Sequence, residues 1–188
     1  AFDGKAAPSI FSVILPYDKT VLIDGPSKRF GVPGWRLGFV AGPTELIKAC
    51  SAILGHTSNA SRPIQYAVQV AYGSEQARQA TKTMVARYEK NRDLFVAGLN
   101  AIKGISCPKP EGAFYCFPDV SALYGKSYEY DGGKATIKDS TGFRDFLLRR
   151  AFVAAVEGGP FGMDTNIRFS LAISEADCAA ALKHITNA

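Results

Sequence analysis

The stretch Gly25-Pro26-Ser27-Lys28-Arg29-Phe30-Gly31-Val32-Pro33-Gly34-Trp35-Arg36-Leu37-Gly38 carries glycine and proline too often for a helix or a strand to cross it unbroken. It lies between two apolar runs, Thr20-Val21-Leu22-Ile23 and Leu37-Gly38-Phe39-Val40-Ala41, which read as short buried strands. A loop joining the ends of such strands is where an open α/β sheet exposes its chemistry. The glycines and prolines let the backbone bend tightly and come close to a ligand. Into that loop the sequence puts one amine, Lys28, and one permanently charged guanidinium, Arg36. Taken alone, two such charges are most often plain solvated surface residues.

Downstream, Pro43-Thr44-Glu45-Leu46-Ile47 opens a helix toward Ile53, and Ser61-Arg62-Pro63 starts another that stops at Gly73. Ser74 is placed to cap a long helix through about Leu99, on which Met84, Tyr88, Phe95 and Leu99 share one face. Such a stripe is more often core than a cofactor box. There follow a strand through Phe114 to Phe117, a loop rich in Gly, Tyr and Lys from Tyr124 to Ser140, a helix from Gly142 to Arg150, and strands near Val153 and Ile167. Ser174-Glu175-Ala176-Asp177 has capping-box spacing for a final helix.

At 188 residues, 47% hydrophobic and 21% charged, the chain is long enough for one large domain or one and a half small ones. No apolar run approaches the ~20 residues that a membrane span needs, and no basic-then-apolar leader opens the chain, so the expected location is cytoplasmic, with no membrane partner. The net charge of +5 is modest and the basic residues are scattered. The adjacent basic pairs are Lys28-Arg29 and Arg149-Arg150, the latter at the end of an expected helix where the dipole favours cations. Without a basic face interleaved with aromatics, no nucleic-acid partner is expected. Cys50, Cys107, Cys116 and Cys178 lack CxxC spacing, and His56 and His184 are the only histidines, so no metal site is expected and the thiols read as reduced and semi-buried.

In Asn166-Ile167-Arg168-Phe169-Ser170-Leu171-Ala172, strand periodicity puts Arg168 on the face of Ser170 and Ala172, opposite Ile167, Phe169 and Leu171. An arginine among small residues has open space in front of it, enough for a carboxylate. A surface salt bridge is the plain alternative.

The window around Lys28 resembles the lysine signature of the fold-type I pyridoxal-phosphate aminotransferases of class I/II, the aspartate aminotransferase-like family. Gly25, the small Ser27 before Lys28, and Gly34-Trp35-Arg36-Leu37-Gly38 follow that pattern, from which Pro26 departs. Gly25 also lacks the hydroxyl that a serine would offer the cofactor phosphate. Further along, Pro110-Glu111-Gly112-Ala113-Phe114-Tyr115-Cys116-Phe117-Pro118-Asp119 is similar to the family's Gly-Ala-Phe-Tyr strand. Val153-Ala154-Ala155-Val156-Glu157-Gly158-Gly159-Pro160-Phe161-Gly162 is similar to the segment before its substrate arginine, and Arg168 falls in an Arg-x-Ser strand like the one that carries it.

The resemblance implies an α/β fold: residues 1–80 as the C-terminal part of the large pyridoxal-phosphate-binding domain, and 81–188 as the small α+β C-terminal domain, with the helix at about 74–99 between them. It implies pyridoxal 5'-phosphate as cofactor, Lys28 as the amine that joins it and later moves the Cα proton, Arg36 as phosphate anchor and Arg168 as binder of the substrate carboxylate. An amine that forms a Schiff base at neutral pH needs burial or neighbouring cations, and Arg36 is one such cation. Phe114 and Tyr115 are candidate pocket walls, and Arg62 a candidate for a second substrate carboxylate. The implied activity is transamination between an amino acid and a 2-oxo acid, with aspartate and 2-oxoglutarate as default, in a homodimer.

The family's ring-nitrogen aspartate, stacking aromatic, cofactor-oxygen asparagine and tyrosine, and phosphate loop have no counterparts here. The chain therefore reads as the C-terminal half of such an enzyme, inactive by itself. A carbon–sulfur lyase of the same fold and a cofactor-sensing domain of a transcription regulator are the alternatives.

Overall fold

The computed structural model describes residues 1–9, 12 and 17–188. The chain divides into two compact units, Ala6–Met84 and Ala1–Lys5 with Val85–Ala188, here called the first and second unit.

In the first unit, β1 (Leu22–Asp24) leads into α1 (Pro26–Arg29), a 3-10 turn (Pro33–Trp35) and β2 (Phe39–Ala41), and the two strands pair antiparallel with Ile23 opposite Val40. Proline at the start of α1 and of the turn sets the helical φ without wasting a donor. The two helices that follow, α2 (Thr44–Leu54) and α3 (Arg62–Gly73), run as their end signals foretold. The expectation that β1 and β2 are buried is wrong for this unit. Ile23 is 80% exposed and Phe39 and Val40 are open as well. The strands form a ladder of only two, and among the described residues no further strand pairs with it.

The long helix α4 (Glu75–Asn100) contributes its first turns to the first unit and the rest to the second. In the second unit, β3 (Tyr115–Cys116), β6 (Val156–Glu157) and β7 (Ile167–Ser170) form an antiparallel sheet in the order β3-β7-β6. Phe95 of α4 meets Phe169 of β7 edge-on, with ring centroids 5.2 Å apart, and Leu99, Phe143, Leu147, Ile167 and Leu171 fill the same core. Asn91, buried on α4, donates from Nδ2 to the carbonyls of Leu171 and Ile173, 3.0 Å each, and so ties down the chain leaving β7. The last helix, α6 (Glu175–Asn187), is capped by Ser174, whose Oγ accepts from the Asp177 N–H at 3.0 Å.

Three further expectations change. The segment read as a loop from Tyr124 to Ser140 contains a hairpin, β4 (Ser127–Tyr130) with β5 (Gly133–Thr136), turning on Asp131-Gly132 with Gly132 at φ +104°. Tyr128 and Tyr130 alternate onto one face, where Tyr128 packs edge-on against Phe146 at 5.1 Å and Tyr130 takes the Arg149 guanidinium at 4.3 Å. The helix expected from Gly142 starts earlier, as α5 (Ser140–Phe146), because Asp139 caps it by accepting from the Gly142 N–H at 2.7 Å. It then widens into a π-helical stretch, Leu147–Ala151, that ends at Phe152 in the left-handed region, so the strand expected near Val153 begins at Val156.

One charge cluster fastens the first five residues to α4. The Arg92 side chain is wholly buried, with the Phe2 ring 4.6 Å from its guanidinium carbon. It donates to both oxygens of Asp3, at 2.8 and 2.9 Å, and to Asp93 at 3.0 Å. The Arg92 hydrogen bonds are the largest cause that holds the Asp3 carboxyl down at about 2. A carboxylate lowered on folding stabilises the fold above its unfolded value and loses that contribution as pH falls through its folded one. Stability is therefore expected to drop as pH falls from about 4 to about 2. In urea titrations at a series of pH values, Asp3→Asn should lower stability at pH 6 and flatten this part of the curve. An unchanged curve would show that Asp3 does not anchor Arg92.

Candidate active site

The Lys28 loop is closed at its base. A Cβ on Gly25 would lie 2.9 Å from the Leu37 carbonyl oxygen and 3.3 Å from the Gly38 Cα, so the two ends of the loop meet where only glycine fits without a shift. Inside, the Phe30 N–H donates to the Pro26 carbonyl at 2.9 Å and the Val32 N–H to that of Ser27 at 3.0 Å, which winds the chain into the short α1 that carries Lys28. The residues just after the lysine are packed from α3 and α4. Phe30 meets Tyr72 edge-on at 5.1 Å, the Arg29 guanidinium lies 5.3 Å from the same ring, and the Thr81 hydroxyl donates to the Arg29 carbonyl at 3.3 Å. Phe39 of β2 also packs on Tyr72, at 6.0 Å. The Tyr72 hydroxyl is buried without a hydrogen-bond partner among the described residues, and burial pushes it upward in pKa.

Arg36 follows the 3-10 turn in the left-handed region at φ +52° and spends one Nη1 donor on the Pro33 carbonyl at 3.0 Å. Among the described residues no other hydrogen-bond partner takes the rest of its fork. Lys28 and Arg36 are both exposed. The loop thus carries both a primary amine and a bidentate donor, the two groups that an aldehyde-bearing phosphate ester requires. By the chemistry of this donor set, the residues present fit pyridoxal phosphate.

Arg168 belongs to the second unit. Tyr115 of β3 stands opposite Ser170, and Val156 of β6 opposite Arg168, so all four side chains share one face of the sheet. The other face carries Cys116, Ile167 and Phe169, all buried. Strand periodicity thus gave the right face. The plain alternative of a surface salt bridge fails, because among the described residues no carboxylate pairs with Arg168. Its guanidinium carbon lies 4.5 Å from the ring of Tyr115 and 4.5 Å from that of Phe161. Glu157, on the neighbouring strand, is taken by Arg144 at 2.9 Å. The other two candidates have plainer places: Phe114 packs between Tyr88 and Tyr115 at 6.0 and 4.4 Å, and Arg62 is exposed at the start of α3.

Phe161 was not foreseen as a partner of Arg168. It arrives on the 3-10 turn Gly159–Phe161, between β6 and β7. A Cβ on Gly158, at the root of that turn, would lie 2.1 Å from the Met163 carbonyl oxygen and 2.4 Å from that of Asn166. The one sequence signal was a bulky ring set between Pro160 and Gly162, in a segment otherwise made for turning.

Residues 1–185 match the family described as aminotransferase class I and II. The aspartate/prephenate aminotransferase of Cereibacter sphaeroides is 41% identical over 160 residues, 85% of this chain and 39% of that protein. The aspartate aminotransferase of Rhizobium meliloti is 38% identical over 171 residues, 91% of this chain and 41% of that protein. Among solved structures, an aspartate aminotransferase from Rhizobium meliloti superposes with a TM-score of 0.79 at 37% identity, over 92% of this chain and 42% of that one. An aromatic aminotransferase from Pyrococcus horikoshii does so with a TM-score of 0.85 at 30% identity, over 98% and 47%. The chain therefore spans about two fifths of the length of the curated relatives it matches. The fold class is α/β, that of the fold-type I aminotransferases. With its lysine loop and arginine strand in the family's order, the chain belongs to the aminotransferase class I and II family.

Proposed function

We propose that this chain forms part of a pyridoxal-phosphate-dependent aminotransferase that moves an amino group between an amino acid and a 2-oxo acid. The first unit is then the C-terminal part of the large cofactor-binding domain, and the second unit the small domain, with α4 between them. The observation that carries the reading is Arg168: a guanidinium with no carboxylate partner among the described residues, on an aromatic-walled sheet face.

Lys28 and Arg36 would hold the cofactor. When bound, it supplies an aldehyde for amines and a ring that spreads the charge left at Cα when a proton departs. Lys28 takes that proton and returns it, since an unprotonated amine is a base and its ammonium an acid. Arg36 would hold the phosphate, since a guanidinium can match such an anion bidentately and a lysine cannot. Arg168 would grip the substrate carboxylate with its planar fork.

Aspartate and 2-oxoglutarate are the default substrates, because the relatives' names include aspartate aminotransferases. Those names favour transfer over elimination or sensing. A homodimer and a cytoplasmic location complete the proposal. For the enzyme containing this chain, the expected result is aspartate-dependent conversion of 2-oxoglutarate to glutamate. Release of ammonia and pyruvate from a cysteine thioether, without such transfer, would replace this reading with a lyase.

A further inference from the structure

The geometry points to Phe161 and Tyr115 as positioning residues that hold Arg168 in the role a carboxylate partner would otherwise take, leaving its charge unneutralised for the substrate. This rests on the reading of Arg168 as the substrate-carboxylate residue and deepens it.

A half-buried arginine is ordinarily paired with an acid, which fixes it and cancels its charge. Here both functions are separated. The ring faces of Tyr115 and Phe161, each 4.5 Å from the guanidinium carbon, attract the cation through their quadrupoles but offer no acceptor to compete with an incoming carboxylate. Each ring is itself packed on a further one, Tyr115 on Phe114 at 4.4 Å and Phe161 on Phe117 at 6.2 Å.

Phe161 is 49% exposed. The turn that presents it is nevertheless held from several sides. The Phe161 N–H donates to the Gly158 carbonyl at 2.8 Å and the Gly159 N–H to the Ser140 Oγ at 3.3 Å. Ser140 Oγ donates in turn to Asp164 at 2.6 Å, and the Tyr124 hydroxyl donates to the Asp164 carbonyl. Asn166 Nδ2 reaches the Phe117 carbonyl at 2.8 Å. The turn therefore fixes an exposed ring against a cation, which is a positioning device.

The test uses the holoenzyme containing this chain, with KM and kcat for the amino donor, melting temperature and cofactor absorbance for each variant. Phe161→Leu keeps an apolar side chain but removes the quadrupole. It is expected to raise KM about two- to thirty-fold, the range of one cation–π contact, with kcat nearly unchanged and the cofactor retained. Phe161→Tyr should restore KM. Replacing Phe161 by its progressively fluorinated analogues, which keep the shape and drain the ring face, should raise log KM stepwise at constant melting temperature. If KM is indifferent to fluorination, the ring only packs and the proposal falls. Arg168→Ala serves as the separate control: if it leaves KM unchanged, the carboxylate reading itself is wrong, whatever Phe161 does.

Discussion

Lys28→Ala in the enzyme containing this chain is expected to reduce amino transfer by about 10²–10⁴-fold from the loss of proton transfer alone. Loss of the covalent hold on the cofactor adds to this. Lys28→Arg should be equally impaired, because a guanidinium keeps the charge but neither joins an aldehyde nor gives up a proton near neutral pH. That pair of variants separates chemistry from electrostatics. Borohydride treatment of the cofactor-loaded enzyme should fix the cofactor to the peptide containing Lys28, and in Lys28→Ala no peptide should be labelled. Labelling of another lysine, or transfer that survives in Lys28→Arg, would remove Lys28 from the site. The loop supports the first outcome. Its ends are closed at Gly25, and the residues after Lys28 are packed on Tyr72 and Thr81, so the amine leaves a fixed backbone rather than a floppy turn.

What the sequence disclosed was whatever depends on neighbours along the chain. Ser174 with Asp177 marked one helix start because a cap is a contact over three residues, and Pro63 marked another because proline's fixed φ suits a first turn. The alternation Ile167, Phe169, Leu171 told which way Arg168 faces, because a strand has a period of two. The hairpin of β4 and β5 was missed and read as a loop: Asp131-Gly132 is a turn signal, but the glycines and lysines around it obscured the two tyrosines that give it a face. Burial of β1 and β2 was a different matter. An apolar run shows that a strand is suited to being covered, whereas its exposure in this unit depends on which strands lie beside it. The Phe161–Arg168 contact was beyond reach for the same reason, since a turn around Gly158 has to fold before the ring meets the cation.

Arg168→Ala is expected to lower kcat/KM for α-amino acids by thirty-fold to several thousand-fold. Truncating one member of a desolvated charge pair costs roughly 2–5 kcal/mol, and about 1.4 kcal/mol is a factor of ten. The upper part of that range is favoured by the surroundings. Among the described residues no acid pairs with Arg168, and its guanidinium carbon lies 4.5 Å from the rings of both Tyr115 and Phe161. Arg168→Lys should recover only part of the loss, because an ammonium supplies a point charge without the planar fork and sits less well between two rings. The cofactor should stay bound in both variants, as read from its absorbance, since its proposed anchors, Lys28 and Arg36, lie on the loop between β1 and β2. Amines that lack a carboxylate should be indifferent to the substitution, which makes the discrimination between an amino acid and its decarboxylated analogue the sharpest readout. Loss of the cofactor with an unchanged KM would mean that Arg168 and Arg36 have each other's roles.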